Sequence, residues 1–169
     1  MMTAATRRLV PALLLLVLAL LPASPVLAAD KGAKAEKVAP PPVAWRNLRE
    51  ARTEARHTDR PLLVFFSAAW KATSVRMDRE TWNDLAVRQY LDGNIVASAI
   101  DMQDMPSVAK QFGIAEPPAI LLLAPDGTQL VLLRGFHGPE TVLRVCQFAA
   151  TGAWKNSDYE TWLSHNKPR

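Results

Sequence analysis

Apolar residues follow two different spacings along this chain, and the switch between them outlines the elements. Trp45, Leu48, Ala51 and Ala55 recur three or four positions apart among Arg and Glu, which predicts an amphipathic helix over 45–57. Residues 61–66 (PLLVFF) are instead continuously apolar over a strand's length, the pattern of a strand covered on both faces. Helical spacing returns after Trp70, with Ser74 a candidate N-cap and Met77 on the inner side. Thr81-Trp82 interrupts that helix, and Asn83 is a candidate cap for a continuation to Leu91 carrying apolar Leu85, Val87 and Leu91. Residues 95–100 (IVASAI) form a second buried strand ending at Asp101, and a short helix over 106–112 stops at Gly113. A third strand, 119–123, leads through Pro125-Asp126-Gly127-Thr128 into the apolar run 130–133, which predicts an antiparallel hairpin. An amphipathic helix over 139–148 and one further aromatic-bearing helix over 154–163 complete the pattern. A βαβ unit followed by a hairpin and a helix predicts a mixed sheet covered by helices on both faces. No internal repeat is present.

The N-terminal segment changes this picture only by what it adds in front. Residues 10–21 (VPALLLLVLALL) follow Arg7-Arg8 and are too short an apolar block for a typical span of about 20 residues. Pro22 and Pro25, then the small residues before Asp30, complete the pattern of a secretory signal peptide over 1–29, cut after Ala28 or Ala29. The expected location is therefore the bacterial periplasm; the alternative is an inner-membrane anchor facing the periplasm. Residues 30–43, rich in Ala, Lys and Pro, read as a flexible linker. Removing the signal takes Arg7 and Arg8 from the 20 basic residues and none of the 16 acidic ones, so the net charge falls from +4 to about +2. That balance argues for neither nucleic acid nor membrane binding. With one cysteine, Cys146, neither an internal disulfide nor a Cys-rich metal site can form.

The candidate chemistry lies where the first strand meets its helix, in "SAAWKATS". This strand–Trp–helix junction, the prolines of "GIAEPPAILLL" and Gly135 in "LLRGFHGPETVL" together resemble the thioredoxin-like superfamily over residues 45–163. Within it the chain is similar to periplasmic thioredoxin-like domains, one group of which is the C-terminal domain of thiol–disulfide interchange reductases. The resemblance implies an α/β three-layer sandwich with a mixed central sheet of four to five strands. Its domain would cover 44–152, with 153–169 a C-terminal helical extension. It also implies that Pro118 is the family's cis-proline. Where the family carries Cys-x-x-Cys, this chain has Lys71-Ala72-Thr73-Ser74. Lysine cannot form a disulfide, and a serine hydroxyl cannot resolve one. Phe65 stands where many relatives hold a buried proton-accepting Asp, and Ala119 where Thr usually follows the cis-proline. Dithiol–disulfide exchange is not expected.

The resemblance leaves one constellation. Three loops of the fold converge on a peptide-binding surface, which here would comprise Trp70, Lys71, Ala72, Glu116, Pro117, Pro118, Phe136 and His137. The expected role is an adaptor, chaperone-like factor or subunit of a periplasmic complex, with a protein or peptide partner and no cofactor or metal. The competing reading is an oxidoreductase-related enzyme using Cys146 or Lys71. Cys146 shares a helix with Val142 and Val145, which reads as a buried small hydrophobe. Lys71 has no acid or base motif beside it, and His57, His137 and His165 lack ligand spacing.

Overall fold

A computed structural model describes residues 42–166 of the chain; the expected signal segment and most of the linker lie outside the described residues. Five strands form one sheet in the order β1-β3-β2-β4-β5. They are β1 (Trp45–Arg46), β2 (Leu62–Ser67), β3 (Val96–Asp101), β4 (Ala119–Leu123) and β5 (Gln129–Arg134). β2 runs parallel to β3 and antiparallel to β4, and β4 pairs antiparallel with β5, so the sheet is mixed. Among the described residues six α-helices flank it: α1 (Leu48–Thr58), α2 (Ala72–Glu80), α3 (Leu85–Asn94), α4 (Pro106–Gln111), α5 (Pro139–Ala150) and α6 (Tyr159–His165).

The continuous apolar run of β2 follows from its central place. Successive side chains of a strand point to opposite faces. Leu63 and Phe65 enter one core with Met77, Val87, Leu91, Val142 and Phe148, beneath α2, α3 and α5. Leu62, Val64 and Phe66 enter the other, with Ala51 and Ala55 of α1 and Ala109 of α4. Both faces are covered along residues 62–66, and the strand's one polar residue, Ser67, comes at its end where burial is partial.

Three local expectations are corrected. Trp45 does not begin a helix: Trp45 and Arg46 pair in parallel with Ala97 and Ser98 of β3, and α1 starts after Asn47, whose side chain accepts the Glu50 N–H. Its ring then packs on Phe65 and Trp82 rather than with Ala51 and Ala55. Asp84, not Asn83, caps α3, its Oδ1 accepting the amides of Ala86 and Val87 at 2.9 and 3.0 Å. Leu85 consequently faces solvent while Val87 and Leu91 are buried. The expected helix over 154–163 divides into a 3-10 turn (Ala153–Lys155) and α6, because Asp158 supplies a fresh cap to Thr161. Tyr159 and Trp162 pack on Phe148 of α5, with ring centroids 5.5 and 5.6 Å away.

Candidate functional site

Lys71 sits at the N-cap of α2 in extended backbone, and its carbonyl accepts the Ser74 and Val75 amides. Ser74 is therefore the third residue of the helix and not its cap, which corrects the sequence expectation. It is buried, and its Oγ accepts the Ala68 N–H at 3.3 Å. The side chain thus stitches the end of the β2 loop to the first turn of α2. Ala72 and Thr73 are exposed on that turn, and Trp70 is 65% exposed, the most open large apolar side chain among the described residues.

Three loops meet here through pairwise contacts. Lys71 Nζ lies 3.6 Å from Glu116 Oε2 and 5.9 Å from the Trp70 ring centroid. The Pro117–Pro118 peptide bond is cis, and the Pro118 carbonyl accepts the Gly135 N–H at 2.8 Å. Gly135 has φ +84°, a left-handed conformation that a side chain would strain although the space beside it is open. Beyond it, Phe136 lies under the Arg76 guanidinium, 4.0 Å from the ring centroid. Thr81 is fully buried and donates its hydroxyl to the His137 carbonyl at 2.7 Å. The three loops and α2 are linked in a chain: Lys71 to Glu116, Pro118 to Gly135, Phe136 to Arg76, and His137 to Thr81.

Two details of the expected surface differ. Pro117 and Pro118 are buried, so their side chains are not part of an open face. Trp70 also forms no aromatic pair with Phe136 among the described residues; Arg76 covers that ring instead. Sequence reasoning missed Arg76 and Thr81. Arg76 resembles any exposed helical arginine, and Thr81 was read only as a helix breaker. Both partners lie on a loop more than 50 residues away in sequence, as the 56-residue separation of Thr81 and His137 shows.

The remaining polar candidates carry little chemistry. The His137 ring bonds the Arg134 carbonyl at 3.1 Å, and among the described residues no group of three His, Cys, Asp or Glu is gathered for a metal. Cys146 is buried on α5, and loss of solvent pushes its thiol up to about 12. Phe65 is 2% exposed and closes an aromatic trio with Trp45 and Trp82, at centroid distances of 6.0 and 5.0 Å. No carboxylate occupies that position.

Residues 44–125 match the thioredoxin-like family model. This stretch is a thioredoxin-like domain. Over 98 residues, 56% of the chain, the sequence is 33% identical to the thiol:disulfide interchange protein DsbD of Ralstonia nicotianae. The match spans 16% of that protein's length. Among solved structures, the DsbH oxidoreductase superposes with TM-score 0.62 at 14% identity, covering 73% of this chain and 95% of that one. A thioredoxin-fold protein from Helicobacter pylori superposes with TM-score 0.58 at 16% identity, over 64% of this chain and 82% of that one. The C-terminal domain of Neisseria meningitidis DsbD, in its reduced form, gives 0.51 at 20% identity over 60% and 93%. At such identities these structures share the fold of the thioredoxin-like domain alone.

Proposed function

We propose that this is an exported, redox-inactive thioredoxin-like protein that binds protein or peptide in the periplasm, as an adaptor, chaperone-like factor or subunit of a complex. The observation that carries the reading is the state of the two positions that would bear thiols. Lys71 is paired with Glu116, and Ser74 is buried against the Ala68 amide. The DsbD relative is named for thiol:disulfide interchange. This chain has one cysteine, buried on α5, whose thiol stays protonated at neutral pH. Work through Cys146 is correspondingly disfavoured, and Lys71 stands in an exposed ion pair with the Glu116 carboxylate rather than in a closed catalytic site.

The binding site would use Trp70 as its exposed aromatic anchor beside the exposed Glu116, with the Pro117–Pro118 turn beneath as its rigid floor; the prolines have no N–H to offer, so backbone pairing there could only accept. Lys71, Phe136 and His137 would flank it. Export rests on the basic, apolar and small-residue pattern over 1–29. Membrane attachment would arise only if that segment were retained as an anchor. Among the described residues no helix is long and apolar enough to cross a membrane.

The test has two arms. Immobilised protein is incubated with periplasmic extract, and what it retains is identified by mass spectrometry. The Trp70→Ala variant should lose those polypeptides while keeping its melting temperature; identical capture by both proteins refutes this placement of the site. In an insulin-reduction assay with dithiothreitol, the protein should leave the background rate unchanged. Acceleration that disappears in Cys146→Ala would overturn the redox-inactive reading.

A further inference from the structure

A second surface lies on α1, independent of the loop site. Arg49, Arg52 and Arg56 fall within about 60° of arc on this helix, at roughly 100° per residue. None of the three makes an ion pair among the described residues. The acids of α1 do not neutralise the stripe. Glu54 projects from the other side of the helix, where Arg46 and Arg60 hold it, and Glu50 stands about 100° around the helix from Arg49. Asp126, across a neighbouring hollow lined by Arg52 and Arg56, gives its carboxylate to the Thr128 amide at 2.8 Å, the bond that chiefly lowers its pKa, with a smaller contribution from the Arg56 charge. The arginines and His57 line an open groove of about 860 Å³ that contains no acidic side chain and is flanked by Leu48 and Met105. Arg52 is further held in place by the Phe112 ring, with its guanidinium 5.2 Å from the centroid.

We propose that this groove docks an extended acidic segment of a partner polypeptide. The spacing fits. Arg49 to Arg56 spans about 10 Å along the helix at 1.5 Å per residue, with Arg52 between them. Successive arginines stand about 4.5 and 6 Å apart along the axis, against about 6–7 Å between alternate side chains of an extended peptide, and the long arginine side chains reach across the difference. Arginine suits the task because its planar fork takes a carboxylate through two hydrogen bonds. The short length of the stripe, about 10 Å, and the apolar flank at Leu48 and Met105 favour a peptide with an apolar residue at one end over an extended membrane surface. The net charge of the whole chain conceals this site, because the acids that balance it lie elsewhere.

Fluorescence anisotropy with labelled Asp-Ser-Asp-Ser-Asp-Leu tests the proposal. The full chain should bind this probe saturably, bind the Lys-for-Asp counterpart at least about tenfold more weakly, and lose affinity several-fold between 25 and 300 mM NaCl as screening shortens the field. The Arg49→Glu/Arg56→Glu variant should weaken binding at least tenfold with an unchanged melting temperature. Should that variant unfold, Arg49→Gln/Arg56→Gln is expected to weaken binding at least threefold. Trp70→Ala should leave the affinity unchanged, which separates this surface from the loop site. Absence of saturable binding, indifference to both arginine variants, or loss of binding in Trp70→Ala overturns the proposal. So does finding that the arginines instead govern adsorption to phosphatidylglycerol vesicles, or self-association in ultracentrifugation, without peptide binding.

Discussion

Replacing Ser74 with alanine tests the role assigned to the residue that stands where a resolving thiol would be. The Ser74 hydroxyl accepts the Ala68 N–H at 3.3 Å, and both residues are about 1% exposed. Ser74→Ala removes the acceptor from an amide that water cannot reach. A buried donor left unpaired costs about 1–3 kcal/mol. A donor–acceptor distance of 3.3 Å lies just beyond the usual range for such bonds, which places the loss at about 1–2 kcal/mol. Against this, alanine is the better helix former by up to about 0.5 kcal/mol. The net destabilisation should be about 0.5–1.5 kcal/mol, and for a domain of this size that lowers the melting temperature by roughly 2–6 °C. Urea denaturation followed by circular dichroism gives the free energy, and native-state hydrogen exchange should show the Ala68 amide losing protection. Ser74→Cys should also destabilise, because sulfur is a weak acceptor and is larger than the space that holds the hydroxyl. If Ser74→Ala proved as stable as the parent, with Ala68 still protected, the hydroxyl would not be tying the loop to α2.

Two other changes probe the cores. Phe65→Ala should cost about 3–5 kcal/mol, read by urea denaturation, because it opens a cavity between the Trp45 and Trp82 rings that the sheet behind cannot close. Cys146 should resist iodoacetamide at pH 8 in the folded protein and react readily in denaturant. Its burial also sets a pH dependence. Because folding raises the thiol's pKa from 9.0 to about 12, the neutral form is preferred in the fold. Stability from this group is complete below the unfolded value and declines as pH climbs from 9.0 toward about 12. A Cys146→Ala variant should lose that decline while other alkaline transitions remain.

Local pattern determined most of the layers. The runs in β2 and β4 are apolar at nearly every position and that of β3 is interrupted only by Ser98 before its terminal Asp101, the pattern of strands buried on both faces. The turn at Asp126-Gly127 was equally legible, since Gly127 takes φ +97° and the Asp126 side chain accepts the Thr128 amide. The absence of an exchanging thiol pair is likewise a property of composition alone, because one cysteine admits no other reading. Tertiary structure decided what depends on distant partners. Trp45 has helical spacing with Leu48 and Ala51, yet pairing with Ala97 makes it an edge strand, and a two-residue strand has no periodicity to detect. Ser74 looked like a cap because its residue type favours one, but the start of α2 at Ala72 turns it inward to Ala68. The contacts of Lys71 with Glu116 and of Thr81 with His137 join segments tens of residues apart. No spacing rule reaches that far: the sheet order brings these loops to one end of the domain, and only then do their side chains meet.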